Sequence, residues 1–143
     1  MSTEAAVILN DLEQRALESA RAAQKNAHAP YSGKQVGAAV ITREGLIFAG
    51  CNVENGEDDL DICAEHNAIT SAVTAGERSY DTIVVIAPDE RFWPPCTSCR
   101  RVIEEFSPDA QILMSSCDGR LHRSRLGQLG TKPFVVGEDD AAT

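Results

Sequence analysis

Thr82-Ile83-Val84-Val85-Ile86-Ala87 is apolar and rich in β-branched side chains along its whole length. Such an uninterrupted run is typical of a central strand that is covered on both faces. Two further apolar runs, 36–41 and 46–51, precede it and flank the turn 42–45. They predict a hairpin in which Gly45 adopts a positive φ. A sheet built around the run 82–87 therefore decides the fold.

Helical spacing appears in three segments. The first covers 3–28, with Ser2 or Thr3 as its N-cap and Pro30 beyond its end. The others cover 62–75, stopped by Gly76, and 96–106. Short strands at 110–114 and 120–122 complete the pattern, which predicts one α/β domain over residues 1–143 with a mixed five-stranded sheet flanked by helices. From about residue 130 the pattern weakens, and an extended or disordered tail is expected.

The amino-acid composition limits which partners the protein is expected to bind. The formal net charge is −9, from 22 acidic and 13 basic side chains. Because such a surplus repels phosphate backbones, we expect no nucleic-acid polymer as partner, whereas a small uncharged substrate is compatible with it. No apolar run reaches the length of a membrane span, and Met1-Ser2-Thr3-Glu4 lacks a basic secretory start. We therefore expect a cytoplasmic protein without a membrane partner.

Three of the five cysteines lie at predicted helix starts, in Cys63-Ala64-Glu65 and in Pro95-Cys96-Thr97-Ser98-Cys99. Cys96 and Cys99 are three residues apart, so their sulfurs project to one side of a helical turn. Helix N-termini stabilise thiolates, which prepares all three cysteines to bind a cation. Three protein ligands leave one tetrahedral position for water, as in catalytic Zn²⁺ sites. Cys51 and Cys117 are expected to be packing or incidental thiols.

Glu65 separates this pattern from a structural zinc site. It can reach a zinc-bound water only if Cys63 lies at the very start of its helix. Placed there, it could take a proton from that water, protonate a ring nitrogen and later protonate departing ammonia. Zinc deaminases in general pair a Cys/His-x-Glu motif with Pro-Cys-x-x-Cys.

The chain resembles the small homotetrameric zinc-dependent cytidine deaminases, to which blasticidin-S deaminase is related. The resemblance covers nearly the whole chain and is carried by Pro30-Tyr31-Ser32, Val36-Gly37-Ala38-Ala39, Gly50-Cys51-Asn52-Val53-Glu54-Asn55, Ile62-Cys63-Ala64-Glu65 and Cys99-Arg100. It implies a three-layer fold, a Zn²⁺ cofactor and a homotetramer with active sites near subunit interfaces. It also implies that Asn52 and Glu54 hydrogen-bond the ribose hydroxyls, which suits a carboxylate.

Two departures concern the base. Lys34 stands where the family has a Phe that packs on the pyrimidine, and Gly56-Glu57-Asp58-Asp59 stands where it has Ala-x-Tyr. Losing an aromatic stack costs about 1–3 kcal/mol. One interpretation is that Lys34 binds substrate in a pocket tuned to a modified nucleoside. In the other, Lys34 faces solvent or pairs with Asp58 or Asp59, and the ring is supplied by Tyr31, Phe92 or Trp93.

A third departure is His66, where the family has Arg. We expect His66 to donate a hydrogen bond to a thiolate, with Arg100 supplying a full positive charge. A rival interpretation takes Cys63-x-x-His66 and Cys96-x-x-Cys99 as a structural Cys₃His zinc site in a binding module. That interpretation gives no role to Asn52, Glu54 and Glu65.

The sequence thus predicts hydrolytic deamination of cytidine, deoxycytidine or a modified cytidine-like nucleoside to the uridine product and ammonia. The alternative within the same chemistry is an aminonucleoside antibiotic such as blasticidin S. Relatives of that kind lack the ribose-binding Glu, present here as Glu54. Phe134 is expected either to reach a neighbouring subunit's pocket or to lie in a disordered tail.

Overall fold

One mixed five-stranded sheet organises the computed structural model, which describes residues 7–136. The strand order is β2-β1-β3-β4-β5, and β3 pairs with β4 in parallel while the other pairs are antiparallel. The strands are β1 (Gly37–Thr42), β2 (Ile47–Cys51), β3 (Tyr80–Ile86), β4 (Gln111–Ser115) and β5 (Leu121–Arg125). The predicted α/β class and mixed sheet are confirmed, with β3 in the central position.

Helices cover both faces of this sheet. They are α1 (Asp11–Gln24), α2 (Ala64–Thr74) and α3 (Thr97–Phe106). Successive side chains of a strand point to opposite faces, so Val84 and Ile86 pack with α1 while Ile83 and Val85 pack with α2 and α3. The result is the predicted three-layer arrangement. None of the described helices is both long and apolar enough to cross a membrane.

The bounds of α1 differ from the prediction. Asn10 caps this helix: its side-chain oxygen accepts from the Glu13 amide at 2.8 Å, and the Glu13 carboxylate accepts from the Asn10 amide at 3.1 Å. This reciprocal pair fixes the first turn at Asp11, so the predicted start at residue 3 is wrong. Ser2 and Thr3, the predicted caps, lie outside the described residues. The helix also ends at Gln24, four residues before the predicted end.

The segment after β5 packs against the core. Phe134 is 3% exposed, and it exchanges two backbone hydrogen bonds with Phe92, at 2.7 and 2.9 Å. Both expectations for Phe134, a neighbouring subunit's pocket and a disordered tail, are therefore wrong, because its ring is buried within its own chain. Residues 137–143 lie outside the described part of the tail.

Gly50 is the point where β2 meets α2. A Cβ at this position would lie 2.4 Å from the amide nitrogen of Ala68 and 2.7 Å from the carbonyl oxygen of Ala64. The strand and the helix approach this closely only because residue 50 has no side chain. The contact matters beyond the core because α2 begins directly after Cys63.

We predict that Gly50→Ala lowers the free energy of unfolding by about 1–3 kcal/mol, since the added methyl must push α2 away from β2. Gly127→Ala is the matched control, because a Cβ there would meet nothing within 4 Å. Urea unfolding measures both variants. Equal free energies of unfolding for the two would contradict the packing argument.

Candidate active site

The starts of α2 and α3 bring three cysteines together. Cys63 is the N-cap of α2 and Cys96 the N-cap of α3, and both have an extended backbone, with ψ of 158° and 173°. The sulfurs of Cys63 and Cys96 are 3.6 Å apart, and with the Cys99 sulfur all lie within 4.8 Å of one another. The three cysteines predicted from the two motifs thus form one cluster.

The pKa values of the three thiols indicate whether this cluster suits a metal ion. The hydrogen bond with Cys63 lowers the pKa of the Cys96 thiol, and the contacts among the same sulfurs raise the pKa values of Cys63 and Cys99. Ionisation of one sulfur therefore opposes ionisation of the other two, and a cation among them is needed to hold all three as thiolates. Three thiolates with one open position match a zinc site of the catalytic kind.

Of the two residues expected beside the cluster, His66 is not placed to hold a metal and Arg100 makes other contacts. Within residues 7–136, the group of side chains placed to hold a metal consists of the three cysteines and does not include His66. The Cys₃His arrangement is therefore not formed. The guanidinium of Arg100 donates to the carbonyl oxygens of Leu126 and Gly130, at 2.7 and 3.3 Å. Its hydrogen bonds thus attach α3 to the segment that follows β5.

A cavity of about 290 Å³ opens beside the cluster, and Cys63, Glu65 and Cys96 are among its lining residues. The Glu65 side chain reaches it because the helix starts immediately before Ala64, as the sequence required. Only 5% of Glu65 is exposed, and burial raises the pKa of its carboxyl to about 7, with the negative charge of Cys96 acting in the same direction. A carboxyl that titrates near neutrality suits a group that accepts and returns protons.

The Asn52–Glu54 segment lines another side of the same cavity. The Asn52 side chain accepts from the Val36 amide at 2.8 Å and donates to the Lys34 carbonyl at 2.9 Å. Asn52 therefore helps to fix the loop 31–36 around the cavity.

Glu54 is held by the same loop. Its carboxylate accepts from the amides of Tyr31 and Ser32 at 2.9 and 3.1 Å, and from the Ser32 hydroxyl. The hydroxyl contact in particular lowers the pKa of Glu54, which keeps the carboxylate charged. Ser32 has no role in the prediction from sequence, although it lies within the matched Pro-Tyr-Ser motif.

Lys34 and Trp93 also line the cavity. The Lys34 ammonium lies 5.5 Å from the centroid of the Trp93 ring, and the ion pairs formed by the described residues do not include Lys34. Of the three candidate rings, Phe92 is fully buried against Phe134, and Tyr31 is 67% exposed and does not line the cavity. Lys34 and Trp93 therefore both lie at the cavity, and Trp93 is the one of the three candidate rings that lines it.

The segment that forms the site matches a known protein family. Residues 10–115 match the family model described as the cytidine and deoxycytidylate deaminase zinc-binding region. This match spans both cysteine motifs and every residue that lines the cavity. The chain belongs to the cytidine and deoxycytidylate deaminase family.

Relatives of this deaminase chain agree with the match. The probable cytidine deaminase of Dictyostelium discoideum is 44% identical over 128 residues, covering 89% of this chain and 85% of that protein. The crystal structure of cytidine deaminase from Burkholderia pseudomallei superposes with a TM-score of 0.75 at 37% identity, covering 80% of this chain and 92% of that one. Blasticidin-S deaminase of Bacillus cereus is 34% identical over 102 residues, covering 66% and 72%. The resemblance seen in the sequence is confirmed.

For this member of the deaminase family we predict that Cys99→Ala lowers bound zinc from about one ion per chain to near zero after dialysis, because two thiolates and water do not complete the site. Elemental analysis measures the metal, and circular dichroism checks folding. Cys117→Ala is the control, since Cys117 is exposed and lies outside the cluster. Zinc retained by Cys99→Ala at the level of the parent protein would contradict the assignment.

Proposed function

We propose that this chain is a zinc-dependent hydrolase that deaminates free cytidine, deoxycytidine or a modified cytidine-like nucleoside, releasing ammonia and the uridine product. The observation that carries the proposal is the juxtaposition of buried Glu65 with Cys63 and Cys96 in one cavity. Family membership supports the reaction type, and the cavity supports a small substrate, since its volume is near the lower end for small-molecule pockets.

In the proposed mechanism Cys63, Cys96 and Cys99 hold the zinc ion. When bound, zinc supplies a nucleophilic hydroxide near neutral pH by lowering the pKa of water. Glu65 would accept one proton from the attacking water and deliver it to the ring nitrogen beside the amino-bearing carbon, to which the water oxygen bonds. It would then carry the second proton of that water to the amino group, so that the carbon–nitrogen bond breaks, ammonia leaves and the oxygen remains as the carbonyl of the uridine product. Its pKa of about 7 allows the carboxyl both to take up and to release a proton.

We assign sugar recognition to Asn52 and Glu54. Both line the cavity, and the contacts of the 31–36 loop hold each side chain in place before a substrate arrives. Preorganised polar groups bind hydroxyls with less loss of entropy. A charged Glu54 also disfavours a phosphate at the same position, which together with the net charge of −9 supports a free nucleoside over a nucleic-acid polymer.

An aminonucleoside antibiotic is the second candidate substrate. The similarity to blasticidin-S deaminase of Bacillus cereus favours it. Lys34, at the cavity where the family has a phenylalanine, concerns the base rather than the sugar. Glu54 favours the ribose-bearing substrates instead, because relatives that act on such antibiotics lack this ribose-binding glutamate. The same lysine supports the narrower hypothesis that the pocket prefers a modified cytidine.

We predict that the zinc-loaded protein releases ammonia from cytidine and deoxycytidine, and that Glu65→Ala lowers kcat by about 10²–10⁴-fold while zinc stays bound. Methylated cytidines and blasticidin S complete the substrate panel. Glu57→Ala is the control for removing an exposed acid nearby. Elemental analysis of each variant separates loss of chemistry from loss of metal.

Each outcome of this panel has a defined meaning. Turnover of Glu65→Ala at the parent rate would contradict the mechanism. If blasticidin S alone released ammonia, the second candidate would replace the first. Cytidine turned over with ordinary affinity would remove the modified-nucleoside hypothesis. If no compound released ammonia although zinc was bound, a zinc-stabilised binding module would be the better description.

We further propose that the protein acts in the cytoplasm as a homotetramer. Six large apolar side chains of residues 7–136 are exposed and available to a partner copy: Ile8, Tyr31, Leu46, Val53, Leu60 and Ile62. Burial of such a group offsets the cost of association. Light scattering should give four times the chain mass of 15.4 kDa; the mass of a monomer would contradict the assembly.

A further inference from the structure

The loop between β3 and α3 holds Trp93 rigidly at the cavity. The indole N–H donates to the Asp89 carboxylate at 3.0 Å. The Arg91 side chain and the Arg91 amide donate to the same carboxylate, at 2.7 and 2.9 Å. The Arg91 contacts hold the pKa of Asp89 at about 2, so the acceptor stays charged and its bond to the indole is charge-assisted.

Trp93 is also contacted from the opposite loop. The Lys34 ammonium lies 5.5 Å from the centre of the ring, and the Lys34 carbonyl accepts a hydrogen bond from Asn52 at 2.9 Å. Continuous contacts therefore run from Asn52 through Lys34 and Trp93 to Asp89. They join two loops that line the cavity, and together with the Arg91 guanidinium, 5.7 Å from the ring centroid, they hold the indole in place.

We propose that Trp93 is the specificity-determining wall against which the planar base of the substrate packs, and that Asp89 is the positioning residue that orients this wall. The inference rests on the proposed function and deepens it, because it names how the base is held. An indole fixed at its N–H cannot rotate away when a ligand enters, and a planar ring meets the part of its surface that the Lys34 ammonium and the Arg91 guanidinium, 5.5 and 5.7 Å from the ring centroid, leave open. Lys34, with its ammonium near the ring, bounds the same wall from the other loop.

Asp89 acts on the substrate only through Trp93, so its removal should affect binding more than chemistry. We expect Asp89→Ala to raise KM for cytidine about tenfold with kcat within about twofold of the parent. Asp89→Asn keeps an oxygen acceptor for the indole and should restore most of the loss. Trp93→Ala should raise KM at least as much as Asp89→Ala. Glu90→Gln, which changes the adjacent exposed acid, is the matched control and should change neither constant.

Fluorescence supplies a readout that does not depend on turnover, because Trp93 is the single tryptophan in the chain. Cytidine titrated into zinc-loaded Glu65→Ala protein should change the tryptophan emission. When the substitution Asp89→Ala is introduced into the Glu65→Ala protein, the midpoint of the titration should shift to about tenfold higher cytidine concentration. Introducing Glu90→Gln instead should leave the midpoint unchanged. Circular dichroism and zinc content verify each variant, and Asp89→Asn serves if Asp89→Ala does not fold.

The outcomes separate this inference from the proposed function. An emission change that Asp89→Ala weakens would support the wall even if the parent protein released no ammonia. An unchanged emission at millimolar cytidine would overturn it, even if ammonia were released. Asp89→Ala that lowers kcat with KM unchanged would overturn the positioning role, as would Asp89→Ala that behaves like Glu90→Gln.

Discussion

The site depends on two cysteines that occupy N-cap positions. An N-cap residue has an extended backbone, so the sulfurs of Cys63 and Cys96 lie ahead of their helices and can meet at 3.6 Å. The same geometry directs Glu65 into the cavity beside them. One residue further into α2, Cys63 would lie on the helix surface and Glu65 would point elsewhere. Asn67, which donates to the Cys51 carbonyl at 2.7 Å, and Gly50 hold this end of α2 against β2.

Two glutamates of the cavity show how one residue type serves two purposes. Glu65 is buried, and its pKa rises to about 7. Glu54 lies near solvent and accepts hydrogen bonds from Ser32 and Tyr31, which lower its pKa. The first can exchange a proton near neutral pH, whereas the second stays charged and can only accept hydrogen bonds. Separation of carboxyl pKa values by environment divides acid–base work from recognition.

Much of this arrangement could be predicted from the sequence because it is encoded locally. The central strand follows from the uninterrupted apolar run of β3, and the positive φ values of Gly45 and Gly76 follow from the turn and the helix end they were expected to form. The cysteine cluster followed from two short motifs at helix starts. One local feature was missed as well: apolar spacing did not locate the Asn10 cap, although its partner Glu13 is only three residues away.

Contacts between residues that are distant in the chain were the hardest to predict from the sequence. The direction of a side chain in a loop depends on partners distant in the chain, so neither the Trp93–Lys34 contact nor the burial of Phe134 against Phe92 carried a sequence signal. Arg100 was expected near the sulfurs because it follows Cys99. Its guanidinium instead meets carbonyl groups that become available only when the segment after β5 folds back.

X-ray absorption at the zinc edge of the purified protein tests the central claim most directly, because it counts the donor atoms around the metal. A catalytic site made by Cys63, Cys96 and Cys99 should show three sulfur neighbours at about 2.3 Å and one oxygen at about 2.0 Å. Three sulfurs with an imidazole nitrogen in the fourth position would contradict the account, because His66 would then close the position that the reaction needs.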